Sequence, residues 1–402
     1  MNVFFKAYCR VFQKVFHIAI PFLPYRTPKI LESVCDIPKE LVKNKVKKVL
    51  VVTDEVMSKS EMFAKMLCNL KDSGFEYSIF SDVKPNPTIQ SIENARRTYV
   101  QENCNGIIGY GGGSAIDCAK GVGARIARPK KSLEQMEGIL GVVKKTPYLV
   151  AVPTTAGTGS ETTVTMVVTD DKTHHKFPIS DFPLIPDCAV LDPQTTRTLP
   201  KSLTATTGMD ALTHAVEAFI GNSTTIQTRK CSLDAVKLVG ENLLTAFNDG
   251  DNMTARKNML YASFYAGAAF SKSYVGYCHA VAHSLGGKYN IPHGLANATL
   301  LPITLEQYGK SAYKKLKKLA VAFGCANENT DEKTAAEEFI RQIKQYNEKM
   351  GIPQSFKEIK KEDIPMLAKY ASKEANPIYP VPRLMDAKEL EILYIKASEE
   401  KQ

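Results

Sequence analysis

Residues 106–124 read GIIGYGGGSAIDCAKGVGA. A short apolar run enters three consecutive glycines, and a helical pattern resumes from Ala115 to Ile126. Short apolar, β-branched runs bounded by turn residues read as buried strands, so the stretch predicts strand, glycine turn and helix. Glycines at 111, 112 and 113 let backbone amides approach an anion without side-chain interference. The helix start behind them adds a partial positive charge, and Ser114 can cap that helix or donate to a phosphate. A pyrophosphate is held in this way. A glycine run alone also serves tight turns, so the flanking elements carry the reading.

The same alternation precedes the turn. KKVLVVT (47–53) is a buried strand that ends at Asp54. A helical segment follows near 60–72, then a strand in FEYSIFS (75–81). In KPNPT (84–88), Thr88 can cap a helix running to about 102. This β-α-β-α-β order predicts a parallel, doubly wound, Rossmann-like sheet. Asp54 stands at a strand's C-terminal end, where a carboxylate can accept from an adenosine ribose 2′-hydroxyl and repel a 2′-phosphate. That favours NAD over NADP; the simpler reading of Asp54 is a turn or cap residue. The carboxylate here precedes the glycines, unlike the usual GxGxxG order. A second small-residue loop, PTTAGTGSET (153–162), offers hydroxyls at Thr154, Thr155, Thr158 and Ser160, either to line a nucleotide or to cap a strand exit.

From about 148 to 192 the pattern is β-type: YLVAVPT, TVTMVVT, KFPIS and CAVLD, separated by turns. After Pro200 helical patterns dominate, over 203–220, 225–247, 253–270, 273–285, 311–323, 332–350, 362–372 and 387–400. The expected organisation is an α/β domain over 27–200 and an all-α domain over 201–402, after an N-terminal extension over 1–26.

Composition is that of a globular chain: 402 residues, 44% hydrophobic, 23% charged. The formal charge of +10 suits anionic ligands, yet no basic stripe with interleaved aromatics points to nucleic acid. The run KSAYKKLKK (310–318) reads as a solvated helix face. Nine cysteines, odd in number and without a CxxC pair, read as free thiols in a reducing, cytoplasmic setting. The first 26 residues, MNVFFKAYCRVFQKVFHIAIPFLPYR, are apolar and basic at once. Their uncharged runs are too short for a membrane span, and no convincing cleavage site follows. They read as an amphipathic helix docked on its own protein, with a membrane-surface or partner-docking helix as the alternative.

Three of the seven histidines fall in CHAVAHSLGGKYNIPHG (278–294). His279 and His283, four residues apart, share one face of a helix that the Gly-Gly pair is expected to stop. His293 follows Pro292 at the start of a new element. Upstream, GMDALTHAVEAF (208–219) sets Asp210 and His214 at i and i+4 on another helix. A lone Asp–His pair at that spacing is ordinarily a helix salt bridge or hydrogen bond. One carboxylate with several imidazoles suits a first-row transition metal, chiefly Fe(II) or Zn(II), whereas calcium and magnesium want oxygens. Five candidate groups exceed what a site open to substrate needs, so one histidine is expected to be free for other work.

These motifs, VVTD, KPNPT, GYGGGSAIDCAK, PTTAGTGSE, GMDALTHAVEAF and CHAVAHSLGGKYNIPHGLANA, stand in the order and spacing of the iron-containing (group III) alcohol dehydrogenases. The chain resembles that family from about residue 27 onward; the first 26 residues lie outside its pattern. The resemblance implies a dinucleotide-binding α/β domain, a helical metal-binding domain and a cleft between them. It implies metal ligands at Asp210, His214, His279 and His293, with His283 spare beside nicotinamide and substrate as a proton carrier. It implies cofactor contacts at Asp54, Asn86, Gly112, Gly113, Ser114, Asp117, Thr154, Thr155 and Thr158, with Lys176 and Leu191 as further ones. The expected reaction is hydride transfer between a small alcohol or diol, or its aldehyde, and NAD(H), aided by a metal that polarises the oxygen. A homodimer is implied as well. The alternatives are a glycerol dehydrogenase-like or dehydroquinate synthase-like enzyme on the same fold, or a non-catalytic binding protein. The synthase would need a basic phosphate pocket; Lys288 is the nearest cation to the metal motifs in sequence.

Overall fold

The computed structural model describes residues 1–173 and 175–399. The chain opens with α1 (Val3–Ala19), whose first turn is capped by the Asn2 side chain. It then forms two compact units. One is Pro24–Leu199; the other joins Met1–Leu23 to the chain from Pro200 onward.

The first unit contains β1 (Lys29–Leu31), α2 (Ile37–Lys43), β2 (Lys48–Val52), α3 (Glu61–Asp72), β3 (Glu76–Phe80), α4 (Ile89–Gln101), β4 (Gly106–Gly111), α5 (Gly113–Ala127), β5 (Gly138–Ile139), β6 (Tyr148–Pro153), β7 (Thr165–Thr169), β8 (Lys176–Ser180) and β9 (Cys188–Val190). Six strands form one parallel sheet in the order β1-β9-β6-β4-β2-β3. From β2 the chain steps outward to β3, then returns to the other side of β2 as β4. The strand order therefore reverses at β2/β4, and ligands in open α/β sheets bind at the carboxyl ends beside such a reversal. Alternation on a strand sends successive side chains to opposite faces. Accordingly Leu50, Val52 and Ile107 enter one core, and Val49, Val51, Ile108 and Tyr110 the other. Sequence runs apolar on both faces suit the covered parallel sheet.

Not all of the β-type runs between 148 and 192 join this sheet. β7 and β8 pair antiparallel, and β5 adds to β8 in parallel, as a separate three-stranded sheet.

The second unit is helical: α1 with α6 (Lys201–Ile220), α7 (Ile226–Asn248), α8 (Met253–Ser273), α9 (Tyr277–Tyr289), α10 (His293–Tyr308), α11 (Tyr313–Phe323), α12 (Glu332–Lys349), α13 (Ile364–Ala375) and α14 (Ala387–Ser398). Two features differ from the sequence expectation. The Gly-Gly pair does not stop α9, which runs through Gly286 and Gly287 and ends where Asn290 takes the left-handed conformation (φ 55°). Asparagine tolerates that conformation and serves as a C-terminal cap. Helix α10 was not anticipated, because it is apolar on nearly every side and contains Pro302, so no 3.6-residue stripe marks it. It is a core helix, buried from Ala296 to Leu305.

α1 is held on this unit by side-chain contacts. Cys9, Gln13 and Ile20 are buried. Arg10 donates to the Val381 and Pro382 carbonyls at 2.7 and 2.9 Å, and Gln13 donates to those of Pro377 and Tyr379 at 3.1 and 2.8 Å. Among the described residues no helix is long and apolar enough to cross a membrane.

Candidate metal centre and cofactor turn

Within the helical unit, three helices converge because small residues let them. Gly208 lets α6 pack closely on α7, a supporting helix outside the three: a Cβ there would stand 2.3 Å from Leu243 Cδ1. At the start of α10, a Cβ on Gly294 would meet the Thr206 carbonyl oxygen at 2.6 Å. The first turn of α10 thus lies directly on α6 and carries His293 to Asp210. The start of α9 is fixed by Glu217, one helical face along α6 from Asp210 and His214. Its carboxylate accepts from the Gly276 and Cys278 amides, each at 2.8 Å, and from His279 Nδ1 at 2.6 Å. A carboxylate at a helix N-terminus satisfies amides that have no partner inside the helix. Only glycine fits at 276, since a Cβ would lie 2.5 Å from Glu217 Oε1.

Asp210, His214, His279 and His293 come together here, with one ligand atom from each lying within 4.8 Å of the others. Asp210 Oδ1 is 3.5 Å from His293 Nε2 and 4.0 Å from His279 Nε2; Asp210 Oδ2 is 3.9 Å from His214 Nδ1. The His214 ring lies between Phe270 and His279, at 4.2 and 4.4 Å from their centroids. Asn297, one turn after His293, donates to Asp210 Oδ1 at 2.7 Å and lies 3.1 Å from His293 Nε2.

The electrostatics favour neutral imidazoles. Burial pushes His279 well below its ordinary value, reinforced by the neighbouring rings, and pushes His293 down to about 4. Burial pushes Glu217 up to about 7, against its amide donors. With both carboxylate oxygens already accepting amides, His279 donates through Nδ1 and its Nε2 is left as a lone pair. That Nε2 is buried and has no hydrogen-bond partner. A buried acceptor without a partner is costly unless a ligand satisfies it. One carboxylate, three imidazoles and an orphaned lone pair fit a divalent transition-metal ion. Four ligands about 2.1 Å from one tetrahedral ion stand roughly 3.4 Å apart, so the four atoms, within 4.8 Å of one another, would draw together on binding one.

His283, the fifth candidate, stands beside this group without joining it. Its ring stacks on His293 with centroids 5.2 Å apart. Its Nδ1 lies 2.7 Å from Glu374 Oε1, which also accepts from the Tyr379 hydroxyl at 2.8 Å. Burial disfavours a charge on His283, but Glu374 outweighs it and the value rises. The sequence reading missed Glu217, Asn297 and Glu374. Glu217 and Asn297 lie inside quoted motifs, at helical spacing from His214 and His293. No sequence signal ties Glu374 to His283, 91 residues away.

The other set gathers within the α/β unit at the carboxyl ends of β2, β4 and β6. The turn itself is Gly111–Gly113, with Gly112 at the N-cap of α5 and Gly111 at φ 149°. Asp54 follows β2; its Oδ1 accepts from the Val56 and Met57 amides, each at 2.9 Å, and its Oδ2 faces Gly111. The Asn86 amide donates to Ser114 Oγ at 3.2 Å, and the Thr154 amide to the Gly111 carbonyl at 3.0 Å. Thr155 and Thr158 border the turn: a Cβ on Gly112 would meet Thr155 at 3.4 Å, and one on Gly113 would meet Thr158 at 3.0 Å. Leu191, just after β9, is buried. Lys176 opens β8 opposite Thr169, whose amide donates to the Pro87 carbonyl, next to Asn86. Asp117 differs from the rest. Both its oxygens are engaged, with Ser160 Oγ at 2.6 Å and the Val167 amide at 2.9 Å, so it ties α5 to the 153–162 loop and β7.

A parallel sheet with a glycine turn at its reversal, and a helical unit carrying an Asp-His₃ cluster, define a two-unit protein of the nucleotide-binding, metal-binding class. Comparison with known proteins makes the class specific. Residues 31–193 match the profile "Iron-containing alcohol dehydrogenase", and 204–398 match "Fe-containing alcohol dehydrogenase family, C-terminal". The 1,3-propanediol dehydrogenase of Citrobacter freundii is 38% identical over 355 residues, covering 87% of this chain and 91% of its own. The NAD-dependent methanol dehydrogenase of Bacillus methanolicus is 34% identical, covering 81% of this chain and 86% of its own. The crystal structure of a 1,3-propanediol oxidoreductase superposes with a TM-score of 0.89 at 35% identity, over 93% of this chain and 99% of its own. The chain belongs to the iron-containing alcohol dehydrogenase family.

Proposed function

We propose that this protein is an NAD-dependent, iron-type alcohol dehydrogenase that interconverts a small alcohol or diol and its aldehyde. The observation that carries the reading is the convergence of Asp210, His214, His279 and His293, with His279 Nε2 buried and unpartnered while Glu217 holds Nδ1. These four residues would hold the ion, with Fe(II) our choice and Zn(II) accepted by the same donors. When bound, a divalent ion there supplies Lewis-acid polarisation of the substrate oxygen, and nicotinamide supplies the hydride partner.

The chain's own residues do the rest. Glu217 and Asn297 orient His279 and Asp210. His283, with Nδ1 committed to Glu374, is suited to pass the hydroxyl proton through its other nitrogen. On the cofactor side, the Gly112 and Gly113 amides and the α5 N-terminus suit a pyrophosphate, flanked by Ser114, Thr154, Thr155 and Thr158. Asp54 is held through Oδ1, which leaves Oδ2 for a ribose hydroxyl and sets a charge against a 2′-phosphate; this supports NADH over NADPH. Asn86, Lys176 and Leu191 complete the proposed contacts, and Asp117 supports the loop that carries the threonines. Nine free thiols suit the cytoplasm, and a homodimer is expected on the family resemblance.

The test is oxidation of NADH and NADPH with butanal and 3-hydroxypropanal, using anaerobic protein before and after chelation. Turnover lost on chelation, restored by Fe(II) or Zn(II) and favouring NADH supports the reading. Undiminished turnover in protein stripped of metal refutes it. His283→Ala is expected to lower kcat and alter its pH profile; an unchanged rate and profile removes His283 from the mechanism.

A further inference from the structure

Helix α1 presents three faces. One, through Cys9, Gln13 and Ile20, is buried on the helical unit. The opposite face is apolar and open: Val3, Phe4, Tyr8, Val11, Val15 and Ile18 all point outward, Phe4 being 86% exposed. At about 100° per residue these positions form a single stripe. Phe5, Tyr8 and Phe12 run their rings along its edge at 6.0 and 6.4 Å spacing, and Phe22, 84% exposed, extends it beyond the helix. By side-chain size the stripe exposes on the order of 1,000 Å², against roughly 300–600 Å² for the largest patch of an ordinary monomer. The third face is basic, with Lys6 and Lys14 exposed on it. The first acidic residue of the chain is Glu32.

We propose that the outward face of α1 seats the protein on an anionic lipid surface, with α1 lying in the plane of the interface. The helix has 17 residues, about 26 Å at 1.5 Å per residue, and it is anchored to its own unit along its length, so it lies on a bilayer rather than crossing it. An apolar stripe of Phe, Tyr, Val and Ile bordered on one side by Lys6 and Lys14, with no carboxylate on the helix itself, is the composition that enters the headgroup boundary and attracts anionic headgroups. The charge pattern chooses between lipid and a second copy. Two α1 helices packed through their stripes would offer Lys6 and Lys14 no acidic residue on either helix to pair with, and in antiparallel packing would bring the lysines of the two copies together, whereas an anionic surface neutralises them. Arg10 does not contribute, because its guanidinium is spent on the Val381 and Pro382 carbonyls.

The experiment is vesicle flotation of the intact protein. Vesicles of phosphatidylcholine alone are compared with vesicles containing about a quarter phosphatidylglycerol. The protein is expected to float with the anionic vesicles at least about tenfold better, and less as salt rises. The triple variant Phe4→Ser, Val11→Ser, Val15→Ser, exposed throughout, is expected to lose flotation about tenfold or more while its Tm, NADH turnover and mass by light scattering stay unchanged. Lys6→Glu with Lys14→Glu is expected to abolish the preference for anionic vesicles. The proposal is overturned if the wild-type protein floats no better than the triple variant. It is overturned equally if the triple variant falls to a smaller oligomer, because the face is then covered by a second copy.

Discussion

The cofactor turn and the metal cluster are built from opposite materials. Around Gly111–Gly113 the chain has removed side chains and used main-chain groups: the Thr154 and Asn86 amides and the Asp54 cap brace the turn, while the Gly112 and Gly113 amides at the start of α5 are left to a ligand or water. Around Asp210 it has done the reverse, aiming four side chains from three helices at one point and leaving His279 Nε2 with no partner. The first arrangement is stable as it stands and receives a ligand on a preformed surface. The second carries an unmet electrostatic demand, and its stability depends on what fills it. Perturbing the helical cluster should therefore change metal content and activity together. Perturbing the turn should change cofactor affinity alone.

The largest effect is expected from Asp210→Ala, which removes the sole carboxylate among the four and leaves Asn297 without its acceptor. Bound metal and kcat/KM should fall by more than the roughly 10–100-fold typical of outer-shell changes; metal analysis beside steady-state turnover reads both. Glu217→Gln keeps the size of the side chain but loses the charge behind His279. Metal affinity should drop about 10–100-fold, measured by competition with a chelator. Gly113→Val tests the other region. Its Cβ would stand 3.0 Å from Thr158, and overpacking of this kind costs about 1–3 kcal/mol. KM for NADH should rise about tenfold or more with metal content unchanged. Loss of metal from this variant would show that the two regions are not independent.

The same contrast explains what the sequence made legible. Each piece of the cofactor turn follows a strand immediately, so Asp54, GGGS and PTTAGTG could be placed by reading along the chain. The Asp210–His214 pair on α6 and the His279–His283 pair on α9 were visible because i and i+4 share a helix face, although only His279 of the second pair joins the cluster. Their supports were not. A glutamate at 217 reads locally as one more solvated helix charge; it is buried only because the start of α9, sixty residues on, closes over it. Glu374 reaches His283 through the packing of α13 on α9. The helix bearing His293 was invisible for a different reason: burial on every side erases the periodicity by which amphipathic helices are recognised. The Gly-Gly pair misled because glycine lowers helix propensity without forbidding a helix, and packing overrode it.

The smallest effect sharpens the comparison from the side of stability. Glu93 on α4 meets Arg125 on α5 and bonds Arg96 at 2.7 Å, joining the helices that begin just after Asn86 and at the glycine turn. Burial would raise the Glu93 carboxyl, but the two guanidiniums outweigh it and hold the value below the ordinary one of 4.5. A depressed carboxylate stabilises the fold fully above its unfolded value, and that contribution disappears as pH falls through the folded one. Glu93→Gln should therefore cost on the order of 1 kcal/mol near neutrality, between surface and buried pairs. That corresponds to about 2–4 °C in Tm for a unit of this size. The gap from the wild type should close on acidification below pH 4.5, as protonation brings the native carboxyl to the same neutral state. Tm measured from pH 7 downward follows the gap directly. A gap that does not narrow at all as pH falls below 4.5 would assign the role of Glu93 to packing rather than charge. Metal content should not change at any pH where the variant stays folded, because the helices Glu93 joins serve only the turn.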